Sequence, residues 1–200
     1  MRLDLPGSWP ETLRFSTAAP GISLIVAVND AGTGLVCGVQ RIFLTREGRP
    51  VMKSEAQPWA GGCPEGTPKG VKDRKLKRSL GEIDGCPQGA HGANAARFSS
   101  WPDPEGRWGL AEGPETALAA EQLWGFPVWG AIHAGNMAKI DPPYWAREAF
   151  IFADHDIAGA RAARRAHERQ QANPAITRTH LVRADNPGED LADLLNFGSE

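Results

Sequence analysis

From Trp108 onward the sequence alternates short apolar runs with stretches of helical composition, and this alternation narrows the fold more than any other feature. The runs Trp108 to Ala111, Pro127 to Ile132, Ala149 to Ala153 and Thr179 to Val182 are short and rich in Val, Ile, Leu, Phe and Trp, which predicts strands. Pro114 to about Trp124 and the alanine-rich stretch from Gly159 to about Ala172 predict helices, and a further short helix is expected from Glu189. The order is β-α-β-β-α-β-α. Strands separated by helices of this length pair in parallel, so an α/β fold is expected here: a mainly parallel sheet flanked by helices, with any site at the carboxyl ends of its strands.

The first half reads differently. Ile22 to Asn29 and Leu35 to Leu44 are two strand-like runs joined by the turn residues Asp30-Ala31-Gly32-Thr33-Gly34, which predicts a hairpin. A second turn at Arg46 to Arg49 leads into Pro50 to Ser54, extending an antiparallel meander. Gln57 to Gly70 holds three prolines and four glycines and is expected to be loop, and Gly81 to Pro104 is similarly poor in periodic apolar residues. The expected division is therefore a smaller β-rich (α+β) subdomain over 1–103 and an α/β domain over 104–200.

A net charge of -2 over 200 residues argues against a bulk polyanion binder, so nucleic-acid contact would have to come from local patches. Such patches are present: Lys69, Lys72, Arg74, Lys75, Lys77 and Arg78 stand within ten residues against Asp73 alone, whereas the segment from Asp185 carries acids and no lysine or arginine. Three scattered cysteines, Cys37, Cys63 and Cys86, do not form a secreted disulfide framework. With no apolar run long enough to span a bilayer and no signal-like N-terminus, no membrane association and a cytoplasmic location are expected.

Three acidic segments follow the predicted strands. Glu112-Gly113-Pro114 lies between a strand and a helix, with Pro114 suited to the first helical position. Glu112 reads either as a functional carboxylate or as one that simply faces the positive end of the helix. Asp154-His155-Asp156 places two carboxylates on one side of an extended segment, suited to a hard cation such as Mg²⁺ or Mn²⁺. Asp156 equally suits the N-cap of the following helix. Asp190 and Asp193, three apart, would share a helix face in Gly188 to Leu195. Each signal alone is weak; their order and spacing together are specific.

With Glu112-Gly113, Gly130, Gly135, Asp154-His155-Asp156-Ile157-Ala158-Gly159 and Gly188 to Leu195 in place, the second half resembles the Toprim domain of bacterial-type primases, topoisomerases and some nucleases. Within that superfamily it is most similar to primases and primase-helicases of phages and mobile elements, through Glu112 to Ala120, Ala134-Gly135-Asn136-Met137 and the closing acidic segment. Gly38-Val39-Gln40-Arg41 with Lys53, and Lys77-Arg78-Ser79-Leu80-Gly81, resemble the basic segments ahead of Toprim in those primases. The resemblance implies metal-dependent synthesis of short RNA primers on single-stranded DNA by nucleotidyl transfer. Among the catalytic residues, Glu112 would be a metal ligand or the general base that helps deprotonate the 3′-hydroxyl, Asp154 and Asp156 would be ligands for Mg²⁺ or Mn²⁺, and Asp190 an outer ligand. Arg41, Lys53, Lys75, Lys77 and Arg78 would line a groove for the template and ribonucleoside triphosphates. A replicative helicase is the implied protein partner. The family often has lysine at Glu189 and asparagine at Ala192, a departure that bears on the closing segment; His155 receives no role.

Other motifs are set aside. Gly61 to Thr67 lacks the lysine a Walker A loop needs, and no Cys-x-x-Cys pair offers a zinc site. The single tyrosine, Tyr144, stands in a Pro-Pro-Tyr-Trp loop without the setting a topoisomerase nucleophile requires. The seven tryptophans are expected mostly in the core, and the arginines Arg161, Arg164, Arg165 and Arg169 on a solvated helix face. Two other functions compete with primer synthesis: a Toprim nuclease, whose carboxylates activate water, and a non-catalytic nucleic-acid-binding or assembly module.

Overall fold

Alternation of apolar and polar residues in the first half, and unbroken apolar runs in the second, produce two sheets of different kinds in the computed structural model, which describes residues 10–17, 22–30, 33–47, 49–52, 77–82, 94–98, 102–154 and 157–183. The first sheet has the order β1-β2-β3-β4 and is antiparallel throughout: β1 (Leu13–Ser16), β2 (Ser23–Asn29), β3 (Val36–Phe43) and β4 (Lys77–Gly81). The hairpin of β2 and β3 closes through Asp30, whose carboxylate accepts hydrogen bonds from the Thr33 amide at 2.6 Å and hydroxyl at 2.7 Å, and through Gly34 at φ 74°. Leu13, Val26, Val28 and Ile42 turn inward and are buried.

Two strands differ from the reading of the sequence. β1 is only four residues long, too short to announce itself by periodicity. After the turn at Arg46 to Arg49, Pro50 makes an isolated antiparallel bridge to Leu44 and Val51 donates to the Phe43 carbonyl at 2.9 Å, with Lys53 and Ser54 outside the described residues; the strand that pairs along β3 is β4, from the basic run. β4 ends at Gly81, whose φ of 91° brings its backbone so close to Cys37 that a Cβ would lie 2.5 Å from that carbonyl oxygen. Only glycine accepts this approach.

The second sheet is all parallel, in the order β6-β5-β7-β8, and bears out the expected mainly parallel α/β architecture. Its strands are β5 (Arg107–Ala111), β6 (Val128–Gly130), β7 (Glu148–Ala153) and β8 (Arg178–Arg183). The helices are α1 (Pro114–Trp124), α2 (Ala134–Met137) and α3 (Ile157–Gln171). Strand alternation sorts the core into two layers. Trp108, Leu110, Trp129 and Ile151 pack with Met137, Ile140 and the alanine face of α3, while Ala111, Val128 and Phe152 pack with Ala117, Leu118 and Ala120 of α1. Trp108 and Trp129 meet edge to face with centroids 5.5 Å apart, fully buried, so they are core and not base-stacking platforms.

α2 was not expected. At four residues it is too short for a periodic signal, and it converts the β-α-β-β order into a regular alternation of strand and helix. α3 begins at Ile157, two residues ahead of the predicted start. The helix expected from Glu189 lies outside the described residues. No described helix is long and apolar enough to cross a membrane.

The two sheets are stitched together by two alanines. Ala95 exchanges both backbone hydrogen bonds with Asn29 at the end of β2, at 2.8 and 2.9 Å, and Ala96 exchanges both with Gly130 at the end of β6, at 2.8 Å each. Asn94, Ala95 and Ala96 are completely buried. Nearby, Arg97 packs its guanidinium over the Trp129 ring at 4.6 Å, and burial lowers its pKa against the opposing pull of Asp30. Asp103 then fixes the entry to β5: it accepts from the Glu105 and Arg107 amides at 3.1 and 2.9 Å and from the Arg107 guanidinium at 2.9 and 3.1 Å. The Arg107 side-chain hydrogen bonds hold the Asp103 carboxyl below its ordinary pKa against the opposing effect of burial.

Candidate active site at the carboxyl ends of the parallel strands

β5 ends at Ala111, and within two residues the chain reverses into α1. Gly113 caps the helix with extended backbone and Pro114 occupies its first turn, so Glu112 is held at the strand end, half-buried. β7 ends at Ala153 and Asp154 follows it, also half-buried. The two strands are parallel neighbours with Ala111 beside Phe152, so Glu112 and Asp154 stand at the same edge of the sheet on adjacent strands. This is where parallel sheets place their sites. The first turn of α1 leans over Asp154, with the Thr116 hydroxyl 3.4 Å from its Oδ1. The positive end of α1 therefore lies beside both carboxylates, a field that favours anionic groups.

A third element enters from the antiparallel sheet. Lys77, the first residue of β4, reaches Glu115 in the first turn of α1, Nζ to Oε2 2.7 Å, and its ammonium lies 4.0 Å from where a Cβ on Gly113 would stand. A cation is thus placed against the turn that carries Glu112.

The described basic residues named from the sequence are divided by the pleat. Lys77 faces the same side as its neighbour Ile42, toward the core, whereas Arg78 stands across from Arg41 on the other face. Arg41 donates to the Ser23 hydroxyl at 2.7 Å and lies over the Phe43 ring at 5.2 Å. Lys77 thus reaches the acidic turn, while Arg41 and Arg78 share the opposite face of the strand pair. Lys53, Lys75, Asp156 and Asp190 lie outside the described residues.

Three residues at this edge escaped sequence reasoning. Glu115 and Thr116 belong to the same short motif as Glu112, but a helix-start acid and a threonine are common enough to pass unnoticed. Ile132, just past β6, takes φ 72° although β-branched and buried, a conformation that costs about 1–3 kcal/mol and that no composition signal reports.

The donor chemistry fits a divalent cation. Glu112 and Asp154 offer hard carboxylate oxygens at one sheet edge, the kind that Mg²⁺ and Mn²⁺ prefer. Among the described residues no cluster of three or more acids, histidines or cysteines forms a complete cage. The motif's other carboxylates, Asp156 and Asp190, fall outside them.

Residues 107–200 match the family model described as the Toprim domain. This half of the chain is a Toprim domain. The fold as a whole resembles a DNA primase domain from Pseudomonas aeruginosa, with 13% identity, coverage of 94% of this chain and 53% of that one, and a TM-score of 0.54. A DnaG primase catalytic domain bound to ssDNA also matches, with 13% identity, coverage of 92% and 52%, and a TM-score of 0.46. The chain thus spans about half the length of these solved primase chains. No curated protein sequence matches it. The match to the Pseudomonas domain covers 94% of this chain, so the fold that joins the β-rich sheet to the Toprim domain is primase-like.

Proposed function

We propose that the chain is a primase catalytic core, which joins ribonucleoside triphosphates into short primers on a single-stranded DNA template. One observation carries the reading: Glu112 and Asp154 end adjacent parallel strands of a Toprim domain, and Lys77 is delivered to the same turn by a β-rich sheet. A cation beside the carboxylates suits a site that must hold anionic phosphates next to them.

Glu112 and Asp154, with Asp156 and Asp190, would hold Mg²⁺ or Mn²⁺. When bound, the ions lower the pKa of the attacking 3′-hydroxyl and neutralise charge on the leaving pyrophosphate. Where Glu112 is not itself a ligand, it would serve as the general base that takes up the proton of the hydroxyl, held at the strand end by the Gly113-Pro114 turn. Lys77 would offer its positive charge to the triphosphate, and the amino end of α1 would add its partial positive charge.

The test is incubation of the chain with single-stranded DNA, labelled ribonucleotides and Mg²⁺ or Mn²⁺, beside Glu112→Gln and Asp154→Ala variants. Short labelled oligomers, abolished in both variants, are expected. Shortening of the template would instead identify a nuclease, and metal-independent DNA binding without reaction a non-catalytic module.

A further inference from the structure

We infer that Glu115 is a positioning residue, which holds the Lys77 ammonium at the acidic turn so that it meets the phosphates of an incoming nucleotide. The inference rests on the nucleotidyl-transfer reading of the site, and it goes beyond it by giving a role to a carboxylate that is no metal ligand in that reading.

Glu115 is the second residue of α1 and only 9% exposed. An acid in a first helical turn gains from the helix dipole while fully solvated, so stability of α1 does not require this burial. Taking a carboxylate and an ammonium out of water costs desolvation energy that their attraction scarcely recovers. What the pair does secure is geometry. A lysine head on its four-carbon stem samples many positions, and the 2.7 Å bond to Glu115 Oε2 selects the one beside Gly113. An ammonium has three donors and Glu115 engages one, so Lys77 can grip an anion without leaving its partner. The chain's two sheets are also made to agree on this point: Lys77 belongs to the antiparallel sheet and Glu115 to the helix that follows the Glu112 strand. Protein kinases solve the same problem with the same pairing, a strand lysine for the phosphates held by a helix glutamate.

The competing account makes Glu115 a counter-charge that occupies Lys77 and competes with phosphate. The two accounts predict opposite signs. ATP with Mg²⁺ is titrated calorimetrically into the full chain and into Glu115→Gln, Lys77→Met and the double variant. Positioning predicts that Glu115→Gln weakens ATP binding about tenfold, the worth of one well-placed charged contact. Lys77→Met weakens it at least as much, and the double variant is no weaker than Lys77→Met alone, because Glu115 acts through the lysine. Unchanged or tighter binding by Glu115→Gln overturns the inference, and so does a double variant weakened by both factors multiplied, which marks a general structural role. Should Glu115→Gln fail to fold, Glu115→Asp keeps the charge but withdraws the carboxylate: weakened ATP binding is expected, and wild-type affinity overturns the inference. The parent reading separates cleanly. ATP binding with the expected pattern but without oligomer synthesis removes the primase and leaves the positioning role. Oligomer synthesis in which Glu115→Gln matches wild type in nucleotide KM does the reverse.

Discussion

Gly130→Ala tests whether the acidic turn is held in place by packing from behind. Gly130 ends β6, next to the turn that carries Glu112. A Cβ there would stand 3.0 Å from Pro114 Cα, 3.1 Å from Pro114 N and 3.3 Å from Gly113 C. These are backbone atoms, which cannot rotate aside as a side chain can. Nor can β6 retreat: Gly130 is bonded in both directions to Ala96, and β6 pairs with β5 on its other side. The turn must therefore move by a few tenths of an ångström. Overpacking of this kind costs about 1–3 kcal/mol, which for a chain of this size lowers Tm by roughly 2–12 °C. The functional effect is proportionately larger. Catalytic groups must hold position to within about 0.5 Å, and a 1 Å error can cost about 10²-fold, so a loss on the order of tenfold in kcat is expected. Primer synthesis at saturating nucleotide and thermal melting are measured side by side. A variant with wild-type melting and wild-type kcat would show that the turn has room behind it and would refute the reasoning.

Asp103→Asn should act through pH. Its carboxyl is held below the ordinary value by the Arg107 hydrogen bonds. A depressed acid contributes stability that is complete above its unfolded pKa of about 3.9 and is lost as pH falls toward the folded value. Wild-type stability in denaturant titrations should thus decline below about pH 4 more steeply than that of Asp103→Asn, which at neutral pH should be about 1–3 kcal/mol less stable; parallel pH profiles would contradict this. Ala166→Leu enlarges a completely buried position where α3 meets the sheet, and should lower Tm by roughly 2–12 °C through the same overpacking. Tyr144→Ser should change neither melting, within about 0.5 kcal/mol, nor any reaction on DNA, since the ring is 90% exposed; loss of a DNA reaction in this variant would reopen the tyrosine nucleophile.

What could be read from the sequence was whatever repeats within one element. The strands of the parallel sheet carry continuous apolar runs, and the strand-end positions of Glu112 and Asp154 follow once those runs are located, so the α/β half and the described pair of candidate acids were legible. Ala95 and Ala96 were not. Their importance lies in backbone hydrogen bonds to Asn29 and Gly130, and a backbone bond leaves no mark on residue identity, so a two-residue bridge between sheets reads as loop. Lys77 was named for its charge but grouped with Arg41 and Arg78, because composition counts charges while a strand deals them alternately to opposite faces. The division matters for function. A basic run read as one groove predicts that neutralising any member weakens nucleotide binding alike, whereas the observed pleat sets Lys77 apart from Arg78 next to it. The same alternation makes Glu115 informative: its partner identifies which face of β4 looks toward the acidic turn.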